Sequence, residues 1–143
     1  MSETSVSETT TVDCWTVQPG EYPQELTVRA HTLHADVGPG LGSTDSAPGP
    51  HDYFDAALAT CKTLTAHWYA KRHDIPLERV ESHVEHDDSE ERRGKYRMRV
   101  RMEFHGPLSD EQRAALARAV GACPIHKLMT TAEIEIETVA SSA

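Results

Sequence analysis

The sequence predicts an α+β domain whose strands are mainly antiparallel. The longest apolar-rich run, residues 50–72, has no Pro or Gly after its first residue and predicts one long, largely buried helix. Residues 25–31 and 95–104 instead alternate apolar and polar side chains, which is typical of half-buried strands. Strands on both sides of a long helix, followed by further helices, are typical of this class.

The first half of the chain predicts two or three strands and then the helix. Residues 12–18 favour a strand by composition, and Pro19-Gly20 marks the turn that follows. The alternating residues 25–31 are expected to pair with residues 33–37 as a hairpin. A loop rich in Gly and Pro, residues 38–50, then leads into the helix.

The second half predicts strands at residues 80–86 and 95–104, separated by a charged turn. Ser109 and Gln112 form a capping-box pattern that opens a helix ending near Gly121. Pro124 then begins a short helix and places Cys123 at its N-cap. Residues 133–139 alternate and predict a final strand.

Composition and charge exclude several classes of function. The net charge is −9 over 143 residues, which argues against partners such as nucleic acid and against anionic membranes. The N-terminus lacks the basic start and apolar block of a secretory signal, so we expect a cytoplasmic protein. Residues 1–11 predict a disordered leader, and residues 12–140 a single domain.

Three cysteines, Cys14, Cys61 and Cys123, form no CxxC pair. Cys123 at a helix start faces free backbone N–H groups and the positive end of the helix dipole, so its pKa is expected to fall. Simple packing at the cap is the alternative. Cys61, in the middle of its helix, is either a small core hydrophobe or a reactive thiol that needs a cationic partner from elsewhere.

Pairs of histidines three residues apart raise the question of a metal site. His31 and His34 precede Asp36, and His83 and His86 precede two aspartates. On strands, side chains three apart point to opposite faces, so solvated histidines are expected and no metal or other cofactor.

Two cysteine motifs resemble those of the OsmC/Ohr family. The run from Gly49 to Cys61 is similar to the family's Pro, carboxylate and Ala/Leu-rich helix that reaches a cysteine, and Cys123-Pro124-Ile125-His126 is similar to its Cys-Pro-[Val/Ile]-His. Residues 75–80 and 108–113 resemble its connector and third-helix start, so the likeness covers residues 25–139.

The resemblance implies an OsmC-like fold, in which mainly antiparallel sheets surround the cysteine-bearing helix of an intertwined homodimer. It also implies a thiol-dependent peroxidase of organic hydroperoxides that acts in oxidative stress. Cys61 would form a sulfenic acid, Cys123 would condense with it to a disulfide, and a dithiol or lipoyl-type reductant would reopen that bond. No metal or flavin is implied. The alternative is a binding or structural stress protein on the same fold with little peroxidase activity.

The expected activating pair departs from the family pattern. The peroxidase branch has Glu directly after the Pro, whereas this chain has His51 there and Asp52 one residue later. Asp52 and Arg29 are therefore the expected carboxylate and cation that would activate Cys61, Arg29 being the only Arg before the helix.

Overall fold

A computed structural model describes residues 11–141 of the chain. The predicted leader therefore lies almost wholly outside the described residues. The elements in order are β1 Val12–Thr16, β2 Gln24–Val28, β3 His31–Ala35, α1 Pro50–Arg72, β4 Arg79–Asp87, β5 Arg97–His105, α2 Asp110–Val120 and α3 Pro124–Thr131. The predicted α+β class is confirmed.

The chain divides into two compact units, Met1–Ala57 with Val84–Arg99, and Leu58–His83 with Val100–Ala143. Helix α1 and strands β4 and β5 contribute residues to both. The prediction of a single domain over residues 12–140 stays a prediction.

In the first unit, β1, β2 and β3 form an antiparallel sheet in chain order. Val28 pairs with His31, so Arg29 and Ala30 form the turn of a tight hairpin. The predicted strand 25–31 is therefore wrong at its end, because Arg29 has a positive φ of 55° and turns the chain back. The hairpin partner accordingly begins at His31, two residues earlier than predicted.

The loop before α1 is organised around the buried carboxylate of Asp36. Its two oxygens accept hydrogen bonds from the Val37 N–H, the Ser43 hydroxyl and both the N–H and hydroxyl of Ser46. The Ser43 and Ser46 bonds hold the pKa of Asp36 well below its usual range. A short polar side chain, rather than an apolar cluster, thus fixes this Gly/Pro-rich segment.

In the second unit, the core forms where α1 packs on α2. Ala66, Ala70, Leu116 and Val120 are its buried members. Small alanines on α1 leave room for the larger α2 side chains, so the two helices approach closely. Partly buried side chains from the adjoining strands and connectors pack against this cluster: Tyr69, Ile75, Leu77, Val80, Met102, Phe104 and Leu108.

Strands β4 and β5 pair with one another. The N–H of Glu78, just before β4, bonds to the carbonyl of His105 at the end of β5, so the pair is antiparallel. The predicted alternation of β5 is confirmed, since its even-numbered residues 98–104 are half-buried and Arg97, Arg99 and Arg101 are exposed. Gly106 follows with φ of 144°, and a Cβ there would lie 2.4 Å from the Pro76 carbonyl oxygen.

The predicted starts of α2 and α3 are both confirmed. Ser109 and Gln112 make the two reciprocal bonds of a capping box at α2. Cys123 is the N-cap of α3, with Pro124 in its first turn.

The predicted final strand is wrong for the described chain, in which residues 132–141 form no helix or strand. Ile134, Ile136 and Val139 are 61%, 84% and 80% exposed. An alternating pattern produces a strand only where another strand supplies backbone partners. Across residues 11–141, none of the helices is long and apolar enough to cross a membrane.

Candidate functional site

The second unit brings Cys61 of α1 next to Cys123, the residue before α3. Both are free thiols and both are buried, with 8% of Cys61 and none of Cys123 exposed. The Cys61 thiol contributes to the pKa shift of Cys123, as expected for neighbouring side chains. We call Cys61, Lys62, Cys123 and His126 the thiol site.

The sulfur of Cys61 lies at the N-terminus of α3. The Ile125 backbone N–H donates to Cys61 Sγ over 3.4 Å. Because Pro124 has no N–H, Ile125 carries the first free donor of α3. The N-terminus is the positive end of the helix dipole, so both this N–H and the dipole of α3 are directed at the Cys61 sulfur. The helix start therefore acts on the cysteine of another helix.

Lys62 places a positive charge inside the same site. It is 5% exposed, and its Nζ donates to the Val120 carbonyl oxygen at 2.7 Å. The ammonium group also contacts His126 Nδ1 at 3.2 Å. Since an ammonium group only donates, Nδ1 is the acceptor in this contact. These contacts fix the buried charge.

The expected low pKa of Cys123 is wrong, because burial raises the pKa of this thiol above its ordinary value. Its side chain makes no capping hydrogen bond among the described residues, although the nearby His126 N–H opposes the rise. The Lys62 charge also opposes it, more weakly than burial acts. Cys123 therefore rests as a neutral thiol.

Sequence reasoning missed Lys62 and assigned no role to His126. The sequence indicated only that Cys61 would need a cationic partner from elsewhere in the fold. A signal was present, because a lysine in the middle of the longest apolar run needs a buried partner. The partner itself, the last carbonyl of α2, is 58 residues away in the sequence and is visible only in the structure.

The structure does not bring Asp52 and Arg29 together in one chain. Asp52 lies in the first turn of α1, where its carboxylate accepts the Gly49 N–H at 2.9 Å. Arg29 is exposed in the β2–β3 turn. Among residues 11–141, no ion pair joins these two side chains. Their catalytic roles stay predictions.

The first unit holds a separate cavity of about 330 Å³, lined by Pro50, His51, Phe54, Glu91 and Tyr96. His51 Nε2 contacts the two Glu91 oxygens at 2.8 and 3.0 Å. This is where the chain has His51 in place of the family's Glu.

Asp55 joins two side chains beside this cavity. It accepts the Tyr96 hydroxyl at 2.7 Å and contacts His86 Nδ1 at 2.5 Å. The bond to Asp55 raises the pKa of His86, whereas burial, ahead of the bond to Asp55, raises the pKa of Tyr96.

His34 of the first histidine pair and both histidines of the second contact carboxylates. His34 contacts Glu25, and Asp36 is occupied by serine hydroxyls. His86 contacts Asp55, whereas His83 contacts Glu81. The two side chains have different partners, as expected for residues three apart on a strand.

A cysteine on a long helix that faces a second cysteine at the start of another helix defines a two-cysteine thiol protein on an α+β scaffold. The chain belongs to the OsmC-like family, whose family model, described as OsmC-like protein, matches residues 43–139. The match contains all four residues of the thiol site and excludes Arg29.

Solved structures support the same fold. An OsmC-like protein from Mycoplasma pneumoniae aligns with a TM-score of 0.70 and 17% identity, covering 88% of this chain and 90% of that one. An organic hydroperoxide resistance protein OsmC from Legionella pneumophila gives 0.64 and 19%, covering 89% and 93%. The organic hydroperoxide resistance protein OhrB of Bacillus subtilis gives 0.57 and 20%, covering 87% and 92%.

No curated protein sequence matches this chain. At these identities the structural neighbours establish the fold.

Proposed function

We propose that this protein is a thiol-dependent peroxidase that reduces organic hydroperoxides. The carrying observation is the Ile125 N–H directed at Cys61 Sγ, with Cys123 beside it. A sulfur that receives a helix-terminal N–H is suited to react as a thiolate. Family membership and the neighbours named organic hydroperoxide resistance proteins support the substrate class.

In the first step the Cys61 thiolate attacks the terminal oxygen of the hydroperoxide. An S–O bond forms and the O–O bond breaks, and the alkoxide leaves as an alcohol after taking a proton. Cys61 becomes a sulfenic acid, so the sulfur is oxidised by two electrons and the peroxide is reduced by two. Cys61 suits this role better than Cys123 because it is the less buried residue of the two.

In the second step Cys123 attacks the Cys61 sulfenic acid, forming the S–S bond and releasing water. Cys123 must first lose its proton. The Lys62 ammonium group stabilises the resulting thiolate, since its charge lowers the pKa of Cys123 against the effect of burial. A dithiol or lipoyl-type reductant then reduces the disulfide and is itself oxidised to a disulfide, which returns both cysteines to thiols.

Asp52 and Arg29 remain the predicted activating pair of the family scheme. The contacts within one chain favour a different assignment, in which Ile125 and Lys62 supply the stabilising groups. The two assignments make different predictions. Arg29→Ala slows Cys61 oxidation if the family scheme holds, whereas Lys62→Met slows disulfide formation if the buried lysine is the cation.

A second candidate function is a binding or structural stress protein with little peroxidase activity. The burial of both sulfurs favours it, because an enclosed thiol meets a peroxide only when the site opens.

Thiol counting separates the two functions. We expect one equivalent of cumene hydroperoxide to remove two thiols per chain from the reduced protein, and peptide mapping to find a Cys61–Cys123 disulfide. Cys61→Ser abolishes this rapid loss, whereas Cys14→Ser, at an exposed thiol of β1, leaves it unchanged. Thiol loss no faster than that of free cysteine would rule out the peroxidase and leave the second function.

We also propose that the protein works as a homodimer. Besides the exposed C-terminal residues Ile134 and Ile136, α1 presents Leu64 at 59% and Trp68 at 36% exposure. A second copy of the chain would cover such side chains and would give residues 133–139 the strand partner that they lack within residues 11–141.

Light scattering during size-exclusion chromatography measures the molar mass of the protein, which for a dimer is twice that of one chain. Ile134→Lys with Ile136→Lys is expected to shift the protein towards the monomer. Glu135→Lys with Glu137→Lys, on the opposite face of the same segment, is the matched control. A wild-type protein that elutes as a monomer at all concentrations contradicts the proposal. The predicted cytoplasmic location stays a prediction.

A further inference from the structure

The outer face of the β4–β5 pair carries four potential metal ligands. Glu81 and His83 lie on β4, and Glu103 and His105 lie on β5. We call these residues the His–Glu cluster. One ligand atom each from Glu81, Glu103 and His105 lies within 4.8 Å of the other two. His83 Nε2 is 3.5 Å both from Glu81 Oε1 and from Glu103 Oε2.

From this geometry we propose that the His–Glu cluster binds one divalent transition-metal ion, for which Zn²⁺ is the best match. Two imidazoles and two carboxylates are ligand types that Zn²⁺ uses, and four ligands complete its tetrahedral coordination. Bonds of about 2.0–2.2 Å place neighbouring ligand atoms roughly 3.4 Å apart in a tetrahedron. The two 3.5 Å separations around His83 are close to this edge, and one of them ends at Glu81 Oε1. His105 Nε2 lies 2.9 Å from the other oxygen, Glu81 Oε2, so Glu81 must turn or bind through both oxygens for one ion to reach both histidines.

The charge of the cluster suits a dication. Two ionised carboxylates and two neutral imidazoles carry a charge of −2, which one divalent ion neutralises. All four side chains are 30–45% exposed, so an ion from solution reaches them directly.

Two arginines compete for the carboxylates. Arg101 Nη1 lies 2.7 Å from Glu103 Oε2, and Arg79 Nε lies 3.7 Å from Glu81 Oε2. A bound metal ion must displace Arg101 from this oxygen or use the other oxygen of Glu103. Removing Arg101 should therefore strengthen metal binding, an effect that loss of folding does not imitate.

The ligands come together across the sheet, which explains why spacing along the chain gave no sign of them. Glu81 and Glu103 are 22 positions apart and meet because β4 and β5 are antiparallel. A bound ion would join the two strands through their side chains. A two-stranded ribbon is only marginally stable, so this cross-link would stabilise it.

Titration of the reduced full-length protein with CoCl₂ tests the site. We expect one equivalent per chain, an intense visible absorption typical of tetrahedral Co²⁺, and displacement by ZnCl₂. The spectrum should lack the near-ultraviolet thiolate-to-cobalt band, which would report binding at Cys61 and Cys123 instead. Because the readout is spectroscopic, its outcome is independent of peroxidase activity.

Variants assign the ligands. His83→Ala and His105→Ala are each expected to weaken binding at least about tenfold, since even loss of an outer partner of a ligand costs about 10- to 100-fold. His31→Ala, at an exposed histidine of β3, should leave binding unchanged, and Arg101→Gln should tighten it severalfold. Absence of binding, full binding in both ligand variants, weaker binding in Arg101→Gln, or a thiolate band would each overturn the proposal.

Discussion

The free N–H groups at the starts of α2 and α3 find their hydrogen-bond partners in different ways. Each helix begins with backbone N–H groups that have no partner within the helix. At α2, Ser109 and Gln112 satisfy them locally, three residues apart. At α3, Pro124 removes one donor and the Ile125 N–H is directed at Cys61 Sγ, 64 residues away in the sequence.

The difference separates a structural helix start from a reactive one. A local cap stabilises the helix and leaves fewer free N–H groups to act on a residue from elsewhere. A helix start whose free N–H donates to a sulfur on another helix favours negative charge on that sulfur. The same hydrogen bond also links α3 to α1. If this comparison is right, changes at α3 alter chemistry, and changes at α2 alter stability.

The largest expected effect is on turnover. Cys61→Ser should lower kcat/KM for cumene hydroperoxide with a dithiol reductant by at least about a thousandfold, because a hydroxyl is a far poorer nucleophile than a thiolate. Steady-state kinetics measure this. Ser109→Ala, at the start of α2, should retain wild-type kcat/KM. A comparable loss in both variants would contradict the distinction between a structural and a reactive helix start.

Next in size is the effect of removing the buried charge. Lys62→Met should slow formation of the Cys61–Cys123 disulfide by about tenfold, because the Lys62 charge lowers the pKa of Cys123 and so favours its thiolate. Rapid-quench thiol counting after one equivalent of peroxide measures this step. Lys71→Met, at the exposed end of α1, is the matched control. An unchanged rate in Lys62→Met shows that the charge has no part in resolution.

A smaller effect is expected on stability. Ser109→Ala should lower the free energy of unfolding by about 1 kcal/mol, the usual cost of losing an N-cap oxygen. Urea unfolding monitored by circular dichroism measures it. Ser109→Thr keeps the oxygen and should lose less. A neutral Ser109→Ala would mean that the capping box contributes nothing at α2.

The smallest effect concerns alkaline pH. The pKa of Cys123 is raised in the folded protein, so the unfolded chain loses this proton first as pH rises. Its contribution to stability is fully present below the ordinary thiol pKa of 9.0 and is lost as pH rises through the folded value. Urea midpoints should therefore fall above about pH 9. They should fall less steeply in Cys123→Ala, and equal slopes would contradict the raised pKa.

Local pattern was sufficient for most elements. Helix α1 has the predicted ends, and the capping box and the Cys-Pro start lie where the sequence predicts them. Each depends on residues within a few positions of one another. The strand ending at Val28 differs from prediction because alternation continues into the turn at Arg29, which the pattern does not reveal.

The thiol site, in contrast, depended mostly on tertiary contacts. The two cysteines were identified from motifs, but the direction of the Cys123 pKa shift was wrong because burial is a tertiary property. Lys62 was missed for the same reason, since its partners are Val120 and His126.

Sequence alone was sufficient to predict the order of the elements up to α3, the helix caps and the two cysteines, because these depend on local periodicity and capping chemistry. Only the tertiary structure decided which cysteine receives the α3 N–H and where the buried cation lies. It alone also shows that Glu81 of β4 meets Glu103 and His105 of β5. Those facts depend on contacts between residues distant in the sequence, whose burial and separation follow from packing.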